Sequence, residues 1–289
     1  MPPRLSPPAL RAWQALLEPH ANRGHVRRDL YGPTIESHVA ACYDSAIATA
    51  ERVRGLAGAS PPKRALEVGS SAGLNCIALQ AAFPLAEVVG IEPELEACAA
   101  ARETAVSWGA DRCVFVRGVG EHLPFHDGAF DLIVCHTVIE HVSDVEKVIR
   151  EMARVLAPQG MITLEAPNYL WPREPHLGIW CIPLLGKASI KAMARLQGAG
   201  ERETSFVDHL QLVHPRMLEQ CFARSGLRWH NTVRDKIVAV GRGTDGVKAY
   251  RRIVPLLRTF DRLGLVERAA DLALATRLHP RSTYTLTKA

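Results

Sequence analysis

A short motif near residue 70 constrains the fold more than any other part of the chain. Residues 65–68 are apolar except for Glu67, as expected of a short buried strand that carries an acid near its end. Gly69 and Gly73 follow and permit a tight turn, and the apolar residues after Gly73 continue as a helix. A strand, a glycine turn and a helix N-terminus together build a backbone cradle for a small polar ligand.

The spacing of the glycines and a second acid narrow the kind of ligand. A dinucleotide fingerprint needs glycine at three positions of such a turn. This chain instead has Ser71 at the second position and Leu74 at the third. Glu92 ends a second apolar run, 19 residues after Gly73, where an acid can accept hydrogen bonds from ribose hydroxyls. The pattern therefore disfavours a dinucleotide and indicates another ligand that contains a ribose.

The segment around this turn alternates strand-like apolar runs with helical patterns. Strands are predicted near 64–68, 87–92, 113–117, 130–135 and 160–166, and helices near 73–82, 94–108 and 143–156. Alternation of this kind predicts a parallel sheet with helices on both faces. The sequence therefore predicts an α/β fold.

The remaining regions are predicted as additions to this core. The chain is divided into an N-terminal helical cap (1–58), the core (59–167), a lid (168–205), a continuation of the core (206–241), a helical insertion (242–280) and a last strand (281–289). Within these regions, helices are predicted at 215–225, 247–254, 256–263 and 266–277, and strands at 227–240 and 282–287.

Several motifs of the core occur in the order found in one enzyme family. Besides the glycine turn they are residues 118–125, 130–136, 138–142 and 154–168. As an ordered set they resemble the class I S-adenosylmethionine-dependent methyltransferases. The resemblance implies a Rossmann-like seven-stranded sheet and methyl transfer from S-adenosylmethionine, with S-adenosylhomocysteine as the product. It also implies a last strand paired with the strand before it, so the helical insertion would interrupt that hairpin.

The resemblance also assigns the cofactor contacts. The residues assigned are Glu67, Gly69, Ser70, Ser71, Gly73, Glu92, Pro93, Val119, Gly120, Glu121 and His136. The turn would hold the methionine end, Glu92 the ribose and the loop 119–121 the adenine, while His136 would offer its backbone to the methionine amine. Two positions depart from the family pattern. Ser71 replaces the usual middle glycine, and Val119 stands where many members carry an aspartate.

Candidate catalytic residues follow the fourth predicted strand and the lid. Methyl transfer to oxygen requires removal of a proton from the acceptor hydroxyl, for which histidine is suited. Glu140 and His141 come shortly after the strand, and His209 comes after the lid. We predict that His141 or His209 is a metal-free base and that Glu140 orients or caps. Oxygen is favoured by these histidines and by the similarity of 138–142 to ubiquinone-pathway O-methyltransferases.

A divalent metal at the same residues is an alternative. The run 138–142 is also similar to small-RNA 2′-O-methyltransferases, and some enzymes of both groups bind a metal through a Glu-x-x-Glu-His run and a later histidine. Glu140, His141 and His209 match three of these positions, but Thr137 occupies the first. The sequence therefore favours a site without metal. An RNA methyltransferase with a divalent metal and a non-catalytic partner subunit remain alternative functions.

Composition restricts the partners and the compartment. The formal net charge is +5, the seven cysteines show no C-x-x-C spacing, and no run combines dense Lys/Arg with aromatics. A small-molecule acceptor is therefore favoured over nucleic acid. We also predict a cytoplasmic protein without a membrane span or a secretory signal. The insertion contains arginines that could meet an anionic membrane, although a solvated face or a homodimer contact is favoured. These are Arg251, Arg252, Arg258, Arg262, Arg268 and Arg277.

Overall fold

The computed structural model describes residues 3–22, 34–58, 61–244, 250 and 253–289. The chain divides into two compact units. The N-terminal unit consists of Met1–His136, Glu146–Thr163 and Lys288, and the C-terminal unit of Thr137–Val145, Leu164–Thr287 and Ala289.

Helices and strands follow one another through both units. The helices are α1 (Pro7–Asn22), α2 (Ile35–Ala57), α3 (Leu74–Ala82), α4 (Leu95–Trp108), α5 (Val145–Val155), α6 (Gly186–Leu196), α7 (Glu201–Ser205), α8 (Pro215–Arg224), α9 (Val233–Arg242), α10 (Val254–Arg262) and α11 (Val266–Thr276), with a 3₁₀ turn at Phe206–His209. The strands are β1 (Arg64–Val68), β2 (Glu87–Glu92), β3 (Cys113–Arg117), β4 (Phe130–His136), β5 (Leu156–Pro167), β6 (Arg173–Glu174), β7 (Ile179–Trp180), β8 (Leu227–Asn231) and β9 (Arg281–Lys288).

Seven of the strands form one sheet in the order β3-β2-β1-β4-β5-β9-β8, and β6 and β7 form a separate antiparallel pair. The pairs β1–β2, β1–β4 and β2–β3 are parallel, and Glu67 of β1 lies between Gly90 of β2 and Val134 of β4. The predicted α/β class with a seven-stranded Rossmann-like sheet is confirmed.

The core of the N-terminal unit forms around β1. Ala65, Leu66 and Val68 are buried, since β1 has a neighbouring strand on each side. Helix α1 packs on α4, and α2 packs on α3. The indole Nε1 of Trp13 donates a buried hydrogen bond of 2.9 Å to Thr104 Oγ1. The helices predicted as an N-terminal cap therefore extend the apolar core of this unit.

The C-terminal unit differs from the prediction over residues 227–240. Strand β8 ends at Asn231, and α9 begins at Val233. Val233, Ile237 and Val240 are buried at helical spacing, and they join an apolar cluster with residues of α10 and α11. The strand prediction was wrong beyond residue 231, because the apolar positions repeat with the period of a helix rather than the alternation of a strand.

The segment that precedes the last strand is helical, as expected. Helices α10 and α11 correspond to the predictions at 256–263 and 266–277, and β9 corresponds to the strand predicted at 282–287. Most of the helix predicted at 247–254 lies outside the described residues, as do Arg251 and Arg252. Among the described helices, none combines the length and the apolar character needed to cross a bilayer.

Close packing at Gly73 gives a stability prediction. Gly73 has φ +75°, and a Cβ atom there would lie 2.6 Å from the Phe115 ring and 2.7 Å from Ala101 Cβ. We expect Gly73→Ala to lower the free energy of unfolding by about 2 kcal/mol or more, because of strain and overpacking. Urea unfolding followed by circular dichroism measures this change.

Gly55 in α2 is the matched control, since no atom lies within 4 Å of its added Cβ. Gly55→Ala should leave stability unchanged or raise it by about 0.5–1 kcal/mol. Equal effects of the two substitutions would contradict the packing of the glycine turn.

Candidate functional site

The glycine turn after β1 is folded tightly against the end of β2. The amides of Gly69 and Ser70 both donate to the carbonyl of Ile91, at 2.9 and 3.0 Å. Gly69, Ser71 and Gly73 have φ values of 71°, 46° and 75°. Glycine adopts this left-handed region readily, whereas other residues adopt it at a cost. Ser71 therefore keeps a turn conformation that favours glycine.

Glu92 ties the same turn to the chain that follows β2. Its Oε2 accepts from the amide of Ser71 at 2.9 Å, and its Oε1 accepts from the amide of Glu94 at 3.1 Å. Burial raises the pKa of the Glu92 carboxyl. Each carboxylate oxygen has further acceptor capacity, so Glu92 can also accept from ribose hydroxyls.

Glu67 joins the end of β1 to the start of α3. The carboxyl is buried, and it accepts from Asn75 Nδ2 at 2.8 Å and from Cys76 Sγ at 3.0 Å. Burial raises the pKa of Glu67 to about 7. Sequence reasoning missed Asn75 and Cys76, although two hydrogen-bonding side chains in the first turn of an apolar helix are a detectable signal. In this structure both Glu67 oxygens are used by the protein itself.

Ser70 provides a hydroxyl that lacks a protein partner. Its Oγ is buried without a hydrogen bond, and a Cβ on Gly90 would lie 2.6 Å from that oxygen. A buried hydroxyl of this kind costs free energy unless a ligand or water satisfies it. The turn thus combines an unsatisfied donor with the acceptor Glu92, which fits a small polar ligand that contains a ribose.

The loop predicted to hold adenine lies in the same unit. Gly120 is buried, and a Cβ there would lie 3.1 Å from Val148 and 3.2 Å from Val68 at the end of β1. Val119 is exposed and Glu121 is partly exposed. A side chain at Gly120 would therefore require Val148 and Val68 to shift by a few tenths of an ångström.

Two further predicted cofactor residues lie at strand ends. Pro93 is exposed directly after β2, and its carbonyl accepts from Arg117 Nε at 3.1 Å. His136 is the last residue of β4, and its Nε2 lies 3.1 Å from Thr163 Oγ1. Since β1, β2 and β4 are parallel neighbours, their carboxyl ends lie at one edge of the sheet.

A second group of functional side chains lies in the C-terminal unit. Glu140, His141 and His176 place a carboxylate oxygen and two imidazole nitrogens within 4.8 Å of one another. Nε2 of each histidine lies 3.8 Å from Glu140 Oε1. Phe206 packs on both imidazoles, with ring centroids 5.7 Å from His141 and 5.2 Å from His176. We refer to Glu140, His141 and His176 as the Glu-His cluster.

The carboxyl of Glu140 is fully buried and unpaired. Its side chain is 0% exposed, and neither oxygen accepts a hydrogen bond. Burial raises its pKa to about 7. Burial and the neighbouring His176 lower the pKa of His141 to about 4. A buried carboxyl without partners is costly, so a polar or cationic ligand at this position would stabilise it.

His176 is oriented by a second buried acid. Glu174 Oε1 lies 2.6 Å from His176 Nδ1 and accepts from the Tyr169 hydroxyl at 3.2 Å. Glu174 Oε2 accepts from the amide of Leu177 at 2.6 Å. Burial opposes ionisation of Glu174, but the hydrogen bond and charge of His176 outweigh it and lower the pKa of this carboxyl. Since Nδ1 is engaged by Glu174, Nε2 is the ring nitrogen of His176 that faces Glu140, with Oε1 at 3.8 Å.

The structure places His209 apart from this group. His209 is exposed at the end of the 3₁₀ turn, and among the described residues the third member of the Glu-His cluster is His176. Sequence reasoning missed both His176 and Glu174. Their signal is an acid and a histidine two positions apart within the predicted lid.

The cluster can support two kinds of chemistry. One carboxylate oxygen and two imidazole nitrogens form a ligand set that suits zinc or another first-row transition metal better than magnesium. Glu174 would then orient a metal-bound His176 from outside, as acids often do at metal sites. Without a metal, His176 paired with Glu174 is suited to accept a proton.

The raised pKa of Glu67 gives a prediction about stability. The folded pKa of about 7 exceeds the ordinary value of 4.5, so the folded state binds this proton more tightly than the unfolded state. The resulting stabilisation is fully present below about pH 4.5 and is lost as the pH rises through about 7. Glu67→Gln stays neutral and should avoid this loss. The free energy of unfolding of Glu67→Gln, measured relative to that of wild type, should therefore rise by about 3 kcal/mol between acidic pH and about pH 8.

Urea unfolding of the ligand-free proteins across this pH range measures the difference. Glu96→Gln, at an exposed position of α4, is the control and should follow the wild-type pH dependence. Parallel stability curves for Glu67→Gln and wild type would contradict the assignment of this titration to Glu67.

Comparison with known proteins identifies the segment that contains the glycine turn as a methyltransferase domain. Residues 66–164 match the family model described as a methyltransferase domain. The chain is 34% identical over 114 residues to the uncharacterized methyltransferase YcgJ of Bacillus subtilis (strain 168), covering 39% of this chain and 44% of that protein. It is 30% identical to norajmaline N-methyltransferase of Rauvolfia serpentina, covering 53% and 52%. It is 31% identical to the ubiquinone biosynthesis O-methyltransferase of Sodalis glossinidius, covering 50% and 53%.

The fold also has a solved counterpart. The chain spans about half the length of the curated relatives it matches. The crystal structure of YcgJ is similar, with a TM-score of 0.51 and 19% identity over 83% of this chain and 97% of that one. The domain match and the relatives therefore identify residues 66–164 as a methyltransferase domain of the class I S-adenosylmethionine-dependent superfamily, and the YcgJ structure shows the same fold.

Proposed function

We propose that this protein transfers a methyl group from S-adenosylmethionine to a hydroxyl group of a small-molecule acceptor. When bound, the cofactor supplies a methyl group activated by its sulfonium. The unpartnered hydroxyl of Ser70 and the carboxylate of Glu92, fixed beside the glycine turn, support binding of this cofactor. The other predicted contacts, from Pro93, the loop 119–121 and His136, belong to the same proposal.

The surroundings of the Glu140 carboxyl are the observation that favours a hydroxyl acceptor. Its carboxyl is fully buried, neither oxygen is hydrogen-bonded, and two imidazole nitrogens lie 3.8 Å away. A hydroxyl bound here could accept a hydrogen bond from the protonated Glu140 carboxyl, whose pKa is raised to about 7, while its own proton passes to a histidine. Relatives include both an N- and an O-methyltransferase, so the preference for oxygen depends on this cluster.

His176 is the best-placed base in the cluster. Glu174 holds its Nδ1 at 2.6 Å, which fixes the ring and leaves Nε2 as the acceptor. His141 stays in the proposal as the second imidazole beside Glu140. His176 takes the role that the sequence suggested for His209, because His176 and not His209 is a member of the Glu-His cluster.

The compartment is part of the same proposal. All seven cysteines lie among the described residues as thiols outside any disulfide, and five of them are buried. Free thiols are typical of a reducing environment. We therefore place the reaction in the cytoplasm, as a step in small-molecule biosynthesis.

A second candidate is metal-assisted transfer at the same cluster. Glu140, His141 and His176 would hold a divalent cation, and Glu174 would orient His176 from outside. The buried, unpaired carboxylate favours this candidate, because a cation would neutralise it. The cation would supply Lewis-acid polarisation of the acceptor hydroxyl, and the histidines would then act as ligands instead of bases.

The roles of the histidines are tested by substitution. Formation of S-adenosylhomocysteine is first measured against a panel of phenols, aliphatic alcohols and amines. With the best acceptor, His176→Asn should lower kcat by about 10²–10⁴-fold, because the proton acceptor is lost. His209→Asn is the control and should keep the wild-type rate. A full rate for His176→Asn, or an equal loss in His209→Asn, would contradict the proposal.

Metal removal separates the two candidates. Under the base mechanism, dialysis against EDTA should leave the rate unchanged, and the purified protein should contain no stoichiometric metal by elemental analysis. The base mechanism would be overturned if EDTA abolished activity, if zinc or manganese restored it in wild type, and if neither metal restored it in His176→Asn. That result would establish the metal-assisted candidate.

A further inference from the structure

Residues 180–185 form an apolar loop on the C-terminal unit, between β7 and α6. Trp180, Ile182, Leu184 and Leu185 are 52%, 53%, 80% and 60% exposed. Single exposed apolar side chains are ordinary in proteins, but a contiguous group marks an interaction site. We refer to residues 180–185 as the apolar loop.

The base of the apolar loop is anchored by polar contacts. The amide of Trp180 donates to Gln197 Oε1 at 2.9 Å, and Gln197 Nε2 donates to the Trp180 carbonyl at 2.8 Å. The neighbouring Cys181 is buried, and its amide donates to the Pro172 carbonyl at 3.3 Å. The backbone at Trp180 and Cys181, from which the exposed side chains of the apolar loop project, is therefore hydrogen-bonded to the rest of the C-terminal unit.

Cationic residues follow the apolar loop. Residues 175–200 contain Lys187, Lys191 and Arg195 and no aspartate or glutamate. Lys191 Nζ forms an ion pair with Asp208 Oδ2 at 2.6 Å, and Lys187 Nζ donates to the backbone carbonyl of Asp208 at 2.9 Å. Arg195 is exposed. Glu201, which is exposed, begins α7 directly after this stretch, and α7 packs on α6. Two carboxylates, Glu201 and Asp208, therefore stand against the three cations, and a small positive charge remains next to the exposed leucines.

We propose that the apolar loop docks the protein on the surface of a bilayer that contains anionic lipids. Ile182, Leu184 and Leu185 would enter the boundary between headgroups and acyl chains, and Trp180 would lie at headgroup level. The cations of α6 would contact the anionic headgroups. This docking holds for any acceptor, so it does not depend on the proposed function.

The size of the loop favours a bilayer over a protein partner. A stable protein interface buries about 800 Å² on each partner, contributed by roughly 20–30 residues. Six residues provide much less, whereas a short apolar tip with adjacent cations is sufficient for reversible binding to a membrane surface. Leucine and isoleucine also offer no hydrogen bonds with which a protein surface could be recognised specifically.

Co-sedimentation of the full chain with lipid vesicles tests the proposal. Wild type should bind vesicles of phosphatidylcholine with phosphatidylglycerol, should bind phosphatidylcholine alone more weakly, and should lose affinity at high salt. The double substitution Leu184→Glu/Leu185→Glu should weaken binding by about tenfold or more. Leu85→Glu, at an 83% exposed site of the N-terminal unit, is the matched control and should bind like wild type.

Two further measurements exclude other causes. Circular dichroism checks that each variant is folded, and Arg258→Glu/Arg262→Glu tests the exposed arginines of α10 as a competing surface. Absence of wild-type binding, equal binding by the loop variant, or loss only in the arginine variant would overturn the proposal. A dimer that dissociates in the loop variant, by analytical ultracentrifugation, would overturn it in favour of a contact between two copies.

Discussion

The hydrogen bonds between the glycine turn and the end of β2 are the constraint on which the cofactor site depends. Two successive amides after β1 share the carbonyl of Ile91, and Glu92 holds the amide of Ser71. These bonds fix the turn without using a ligand. They also place an acid beside the turn, where a ribose can be bound. The Ser70 hydroxyl is buried beside this turn without a protein partner, and in the proposed complex the cofactor would satisfy it.

The C-terminal unit contains two buried glutamates whose pKa values are shifted in opposite directions. Glu174 is surrounded by donors, and its pKa is lowered. Glu140 has no donor, and burial raises its pKa to about 7. Both side chains meet the same imidazole, His176, from opposite ring nitrogens. Glu174 thus orients His176, while Glu140 is the group that the proposed acceptor hydroxyl, or the cation of the second candidate, would contact.

The sequence predicted the fold around the glycine turn well because the signals for it are local. The strand, turn and helix around Gly69 and the acid Glu92 are each defined by a few adjacent residues. The residues that complete the sites were missed because they depend on tertiary contacts. His176, which Glu174 holds, reaches Glu140 from a separate part of the chain, and Asn75 and Cys76 bind Glu67 across the turn. The period of residues 233–240 is helical, but its partners in α10 and α11 come later in the chain.

Titration calorimetry with S-adenosylmethionine and S-adenosylhomocysteine tests whether the protein binds the cofactor at the glycine turn. We expect saturable one-to-one binding of both ligands. Glu92→Ala should weaken this binding by about tenfold or more, because the ribose contact and the bond to the turn are lost. Absence of binding to either ligand would contradict this expectation and would favour a methyltransferase-fold protein that acts as a non-catalytic partner subunit. Binding that Glu92→Ala leaves unchanged would contradict the proposed cofactor site.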